Sequence, residues 1–183
     1  MVATKKAVRE QIIAALNSMP DDVHRFQAGI LYERLFESAE WNRSQTVAIT
    51  LSTGFELDTK PIIEAAKQAR KQVVVPRTFS TDRRMIFLPL TDATVLKESN
   101  FGIMEPENGT AVTKDQIDLV VVPGLGFTKK GARLGFGGGY YDRFLADYQG
   151  RTVTLAFEAQ MFKTPTWPVA DTDVLVQHVI TSH

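Results

Sequence analysis

The chain has 183 residues, 44% of them apolar and 23% charged, with no cysteine; 21 basic and 21 acidic side chains give a formal net charge of zero. This length suits one domain over residues 1–183 and buries enough apolar surface to need no covalent or metal staple. The balanced charge excludes a general nucleic-acid binder, which needs a basic excess to displace counterions, and the absence of cysteine excludes a disulfide framework, a thiolate nucleophile and a Cys-ligated zinc.

Residues Met1 to Lys6 lead straight into a charged amphipathic segment instead of the apolar core of a signal peptide. No apolar run reaches the roughly 18 residues that cross a bilayer. The expectation is a soluble, cytoplasmic chain with neither a membrane nor a nucleic-acid partner, monomeric by default because no heptads are present. Val8, Ile12, Leu16 and Met19 fall at helical spacing behind Thr4, a good N-cap. Pro20-Asp21-Asp22 restarts the chain, and Val23, Phe26, Ile30, Leu31 and Leu35 predict the inner face of a second helix.

After Trp41 the pattern changes. Thr46 to Leu51 is a β-branched run that predicts a strand, and Asp58 or Thr59 can cap a helix carrying Ile62, Ile63, Ala66 and Ala69. Gln72 to Pro76 is apolar apart from its first residue and predicts a second strand stopped by proline; Met85 to Leu88 predicts a third. Ile117 to Pro123 is the clearest strand of all, followed by a glycine-rich loop, a helix from about Tyr140 to Tyr148 and a strand over Thr152 to Phe157. Apolar strands alternating with helices imply an α/β fold: a three-layer αβα sandwich with a largely parallel mixed sheet, Rossmann-like. Ligands in such sheets bind beyond the carboxyl ends of the strands, which points to the loops after Leu51, Pro76 and Pro123.

Seven of the 12 glycines lie between Gly124 and Gly139. Three of them in a row, directly before a helix, leave backbone N–H groups that can converge on an anion. Lys129, Lys130 and Arg133 add positive charge, lysine as a point and arginine as a fork for two phosphate oxygens. The loop is not a P-loop, because no Gly-Lys-Ser or Gly-Lys-Thr ends it. It is not the dinucleotide fingerprint either, because Tyr140 stands where the third glycine would be.

The run Arg133-Leu134-Gly135-Phe136-Gly137-Gly138-Gly139-Tyr140-Tyr141-Asp142-Arg143, after a Val-Val-Pro-Gly strand end, closely resembles the signature of the 5-formyltetrahydrofolate cyclo-ligase (5,10-methenyltetrahydrofolate synthetase) family. The resemblance extends over nearly the whole chain in order: a basic N-terminal helix, a Leu-Ser-x-x-x-Glu element, a Val-Pro-Arg strand end, the glycine loop, an Ala-Phe-Glu-x-Gln strand end and a late aspartate. It implies conversion of 5-formyltetrahydrofolate and ATP to 5,10-methenyltetrahydrofolate, ADP and phosphate, with Mg2+.

The residue roles follow from the same resemblance. Lys5, Lys6 and Arg9 and the run from Arg133 through Leu134, Gly135, Phe136, Gly137, Gly138, Gly139 and Tyr140 to Tyr141 would bind ATP. Arg9, Leu51, Glu56, Phe136, Gly137, Gly138, Gly139 and Tyr140 would bind the folate, with Glu56 against the pterin and Leu51 as its apolar wall. Arg133 and Tyr140 would be catalytic, and Asp142 and Asp173 would hold magnesium. Asp171 competes with Asp173, which fits the family's spacing from Pro168 better. Phe55 and Phe101 could stack on a ligand ring or belong to the core, and Arg77 could meet phosphate or the folate glutamate. In two places the chain departs from the family: Phe136 replaces a frequent tyrosine or arginine, and Gln177 stands where aspartate is usual. His24, His178 and His183 have no assigned role. Two other readings compete: a sugar-phosphate isomerase or CoA-transferase-like protein of similar fold, and a ligand-binding relative without turnover.

Overall fold

The computed structural model describes residues 2–183, so Met1 of the opening stretch lies outside it. The helices are α1 (Lys5–Asn17), α2 (Asp21–Glu37), α3 (Ala39–Asn42), α4 (Lys60–Gln68) and α5 (Tyr140–Leu145). The strands are β1 (Thr46–Ala48), β2 (Gln72–Phe79), β3 (Arg84–Pro89), β4 (Leu96–Glu98), β5 (Met104–Pro106), β6 (Leu119–Val121), β7 (Gly126–Thr128), β8 (Arg133–Leu134), β9 (Arg151–Ala156), β10 (Met161–Phe162) and β11 (His178–Thr181). Six strands form the main sheet in the order β11-β9-β6-β1-β2-β3. All its neighbours run parallel except β2 and β3.

The sheet is covered on both faces, and the period-2 alternation of its strands shows how. Val47, Val73, Val75, Leu119, Val121, Val153 and Leu155 join a core built with Val8, Ile12 and Leu16 of α1, Leu31 and Leu35 of α2, and Ile62, Ile63 and Ala66 of α4. Their alternates Ala48, Val74 and Val120 face a second core with Phe87 of β3, Phe144 and Leu145 of α5, and Tyr148. Burial of each large aliphatic side chain contributes about 1.5–3 kcal/mol. The result is the expected three-layer α/β sandwich with a largely parallel mixed sheet, one outer layer being much thinner than the other.

Several local expectations need correction. In α2 the buried residues are Gln27, Ala28, Leu31 and Leu35, whereas Val23 is 37% and Phe26 is 70% exposed. The inner face is rotated because Gln27 is needed inside: its Oε1 accepts from Glu158 N and from Ser182 Oγ, both at 3.1 Å. Pro76 does not stop β2. The strand runs on to Phe79, because beyond Val74 it pairs with β3 alone and Pro76 lies opposite Phe87; a residue without an N–H is tolerated where one side of the strand has no partner. Ala69 is the exposed C-cap of α4 and not part of its inner face. α5 ends at Leu145, short of Tyr148, whose hydroxyl instead donates to Ile117 O at 2.9 Å. The strands read over Thr46–Leu51 and Ile117–Pro123 are regular only over three residues each.

A second, small sheet, β10-β7-β8, presents the glycine run. α1 packs over it: a Cβ on Gly126 would stand 3.1 Å from Ile12 Cδ1. The β7–β8 turn is built on Gly131, at φ +92, whose N–H donates to Thr128 O at 2.9 Å.

Candidate active site

The order of the main sheet reverses at β1. From it the chain moves outward through β2 to β3, then returns to the other side of β1 for β6, β9 and β11. The connections after β1 and β6 therefore diverge and leave a crevice at the carboxyl ends of these strands. A cleft of about 560 Å³, counted with its open mouth, lies there. Ile49, Phe55, Glu56 and Ile62 line it from one side, and Pro123, Gly124, Phe157 and Gln160 from the other.

Glu56 is half-buried in the loop after β1. Its Oε2 accepts from Thr53 N at 2.7 Å. Burial pushes its pKa up, against the opposing pull of these Thr53 hydrogen bonds. The loop is tied down by hydroxyls: Thr59 Oγ1 donates to Thr50 O at 2.7 Å, and Thr59 N donates to Ser52 Oγ at 2.9 Å. Leu51 is half-buried against the main core. Phe55 lines the cleft, while Phe101 is 61% exposed and meets Tyr140 edge to face, with ring centroids 6.3 Å apart.

On the other side stands the glycine run. Gly137 and Gly139 have φ of +108 and +75, which residues with a Cβ rarely adopt. A Cβ on Gly138 would stand 2.6 Å from the Tyr140 ring. Among the described residues, the amides of Gly137, Gly138 and Gly139 donate no hydrogen bond. α5 is only six residues long, so a helix dipole adds little here, and the groups left open to solvent are the loop amides and the nearby side chains.

α1 delivers the basic side chains, and its N-cap is the expected one: Thr4 Oγ1 accepts from Ala7 N at 3.1 Å. Lys5 and Arg9 stand one turn apart on α1, and Arg9 reaches the glycine run. Arg9 Nε donates to Gly135 O at 2.8 Å, and Lys5 Nζ lies 3.8 Å from Asp173 Oδ2. Lys6 points to the exposed side. Asp142 meets the same group from below: its Oδ1 accepts from Val174 N at 3.1 Å and lies 3.4 Å from Arg133 Nη2. Asp142 thus holds the backbone of the residue that follows Asp173, and each aspartate faces a basic side chain, Arg133 for Asp142 and Lys5 for Asp173. Asp171 is exposed, whereas the Asp173 side chain is 17% exposed.

Arg133 lies underneath this arrangement, its side chain only 5% exposed. Its Nη1 donates to Pro123 O at 3.0 Å, and its guanidinium stands 5.8 Å over the Tyr141 ring. Arg133 Nε and the Tyr141 hydroxyl are buried without a partner among the described residues. Burial raises the Tyr141 pKa further above the ordinary phenol value, partly opposed by Arg133, so the group is a neutral donor at physiological pH. Leu134 is buried beside them and Phe136 is 49% exposed at the rim.

Other expected residues stand elsewhere. Arg77 donates from Nη1 to Glu107 O at 2.9 Å, in a separate polar cleft beside the β4–β5 hairpin. Gln177 serves the sheet edge, donating from its N to Thr152 Oγ1 at 2.9 Å. Two contributors are not among the expected site residues. Gln160 accepts from Phe157 N and donates from Nε2 to Gly124 O, both at 3.0 Å, and so joins β9 to the glycine segment. Arg83 Nη1 donates to Gly138 O at 2.7 Å. The Phe-Glu-x-Gln strand end gave a signal for the first; nothing in the sequence marks Arg83.

Comparison with known proteins decides among the readings of this crevice: the model of the 5-formyltetrahydrofolate cyclo-ligase family matches residues 1–182. The chain belongs to that family. A 5-formyltetrahydrofolate cyclo-ligase of Haemophilus influenzae is 32% identical over 146 residues, covering 75% of this chain and 78% of the relative. The Mus musculus 5-formyltetrahydrofolate cyclo-ligase is 28% identical over 191 residues, covering 97% and 93%. The solution structure of the Aquifex aeolicus 5,10-methenyltetrahydrofolate synthetase superposes with a TM-score of 0.83 at 27% identity, covering 97% of this chain and 89% of that one. The cyclo-ligase family is a family of enzymes, so the fold belongs with catalysis. Among the described residues no helix is long and apolar enough to cross a membrane.

Proposed function

We propose that the chain catalyses the ATP- and magnesium-dependent cyclisation of 5-formyltetrahydrofolate to 5,10-methenyltetrahydrofolate, releasing ADP and phosphate. The observation that carries this reading is the crevice itself. A desolvated carboxylate, Glu56, stands on one wall. The other wall leads into a run of undonated glycine amides flanked by Lys5, Arg9 and two aspartates.

The chemistry requires this division. The formyl oxygen on N5 belongs to an amide-like carbonyl and leaves poorly. Transfer of the ATP γ-phosphoryl to that oxygen breaks the β–γ bridging P–O bond, forms a new P–O bond and releases ADP. N10 then attacks the activated carbon through its lone pair and loses its proton to water. Phosphate departs with the oxygen, leaving the N5–C–N10 amidinium of the product. The protein's task is in-line positioning and compensation of phosphate charge.

Each side chain has a part in that task. Glu56 accepts paired N–H donors of the pterin and Leu51 backs it, while Tyr140 and Phe136 stand at the junction of the two substrates. Lys5, Arg9 and the amides of Gly135 to Tyr141 receive the nucleotide, while Lys6, on the exposed side of α1, contributes charge from a distance. Asp142 and Asp173 would hold magnesium. Each commits one oxygen to the contacts described, Oδ1 of Asp142 and Oδ2 of Asp173, which leaves the other for a hard cation. Two carboxylates plus phosphates suit an ion that keeps several waters. When bound, the ion would offset phosphate charge. A soluble monomer in the cytoplasm, without nucleic-acid partners, completes the proposal.

The test is direct. The purified chain is mixed with 5-formyltetrahydrofolate, ATP and magnesium, and the methenyl product is followed by its absorbance. Product is expected only in the full mixture. Its absence there removes the activity, and equal product without ATP contradicts the phosphorylation route.

A further inference from the structure

We infer that Arg83, at the turn between β2 and β3, is a positioning residue of the phosphate loop: it fixes the Gly138–Gly139 peptide so that the Gly139 amide faces the nucleotide. The inference rests on the phosphate-binding reading above and adds to it a residue that neither the sequence signature nor the resemblance assigns.

The contact spans 55 residues of chain: Arg83 Nη1 donates to Gly138 O at 2.7 Å. In a trans peptide the carbonyl and the next N–H point in opposite directions. A guanidinium that holds the Gly138 oxygen therefore turns the Gly139 N–H to the opposite side. The neighbouring glycines make such a hold necessary. Gly137 and Gly139 occupy positive φ, and glycine passes easily between such states and their alternatives. The Tyr140 ring limits the Gly138 Cα, where a Cβ would stand 2.6 Å away. It does not fix the plane of the peptide that follows; Arg83 does, at the oxygen. A charged donor also polarises the peptide, which makes its N–H a better donor to phosphate.

The turn is arranged to release this arginine and no other. Asp82 takes Arg84, with Nε to Oδ2 at 3.4 Å and Arg84 N donating to Oδ1 at 3.2 Å, and Arg84 stacks 4.3 Å over Phe79. Arg83 stands at φ +55, a left-handed conformation uncommon for a residue with a Cβ. The contact parallels the hold of Arg9 Nε on Gly135 O. The two arginines grip carbonyls at both ends of the run.

The experiment uses the full chain with Arg83→Met, which keeps most of the length and removes the donor, and Arg83→Lys, which keeps a donor. ADP binding is measured by calorimetry without folate, and KM is measured for ATP and for folate separately. Because the Arg83 contact is solvent-exposed, its loss counts as that of one ordinary hydrogen bond, and Arg83→Met should weaken ADP binding and raise KM for ATP by about five- to tenfold. Folate KM and Tm should hold, and Arg83→Lys should recover most of the loss. Unchanged ADP affinity in Arg83→Met overturns the inference, as does an equal rise in both KM values. So does a loss that disappears between ~50 and ~500 mM salt, because that identifies direct contact with a screened phosphate charge. Failure of the unsubstituted chain to bind ADP removes the phosphate reading, and this inference with it.

Discussion

Replacing Glu56 by glutamine separates the folate side of the crevice from everything else. The substitution keeps the shape and one acceptor oxygen, and that oxygen is already taken by Thr53 N at 2.7 Å. What is lost is the charge and at least one acceptor facing the pterin, while an NH₂ is turned toward its donors. A hydrogen bond to a charged group contributes about 1.5–3 kcal/mol, so the change should cost about 2–4 kcal/mol of folate binding. At 1.4 kcal/mol per tenfold, KM for 5-formyltetrahydrofolate should rise roughly 30- to 700-fold, with KM for ATP little changed. Initial rates of methenyl formation, with each substrate varied in turn, measure both.

The pH dependence gives a second check on Glu56. Its pKa is raised by burial, so the wild-type chain should lose folate affinity as pH falls through a value above the ordinary carboxylate range, and the Gln variant should not. Stability should run the other way. A carboxyl whose folded pKa lies above its unfolded value gives stability that is full below the unfolded pKa and is lost as pH rises through the folded one. Glu56→Gln should therefore leave Tm at neutral pH unchanged or higher. A folate KM within threefold of wild type, or a flat wild-type profile, would falsify the role.

Further predictions concern the loop and the core. Asp142→Asn should raise the magnesium and ATP requirement by about tenfold or more while folate KM holds, since it removes an oxygen donor to a hard cation; it also leaves the buried Arg133 without an anionic partner, held by the Pro123 carbonyl and the Tyr141 ring, costing about 2 kcal/mol in denaturant unfolding because the pair is only partly buried. Equal losses for both substrates would sink the metal role. Gly131→Ala should lower stability by about 2 kcal/mol or more, because its Cβ would stand 2.1 Å from Val176 O at φ +92; an unchanged midpoint in urea would contradict the turn. Leu31→Ala, at a fully buried position of α2, should cost about 2–5 kcal/mol without altering either KM. Calorimetric melting and steady-state rates decide that case.

The layers and the glycine run were legible because each rests on local pattern. Val73 to Val75 and Leu119 to Val121 are buried on alternate faces, so their apolar continuity signals a covered sheet. Three glycines before Tyr140 signal an exposed backbone. What stayed hidden depends on long-range partners. Phe26 reads as an inner residue until Gln27 is seen to serve Glu158 N and Ser182 Oγ, 131 and 155 residues away. Pro76 reads as a stop until β1 is found to pair no further than Val74. Short strands such as β7, β8 and β10 hold two or three residues each and carry no periodicity of their own. Arg83 is one arginine among many until the glycine carbonyl it grips is in view.

The reversal of strand order at β1 has an evolutionary consequence. Glu56 rides on the segment that follows β1, and the glycine run on the segment that follows its neighbour β6. Each half can drift while its opposite stays intact. Under the proposed function, changes confined to residues 50–59 would act on the folate side alone and leave the glycine run unaltered. The fold is thereby a two-part toolkit hinged on one central strand.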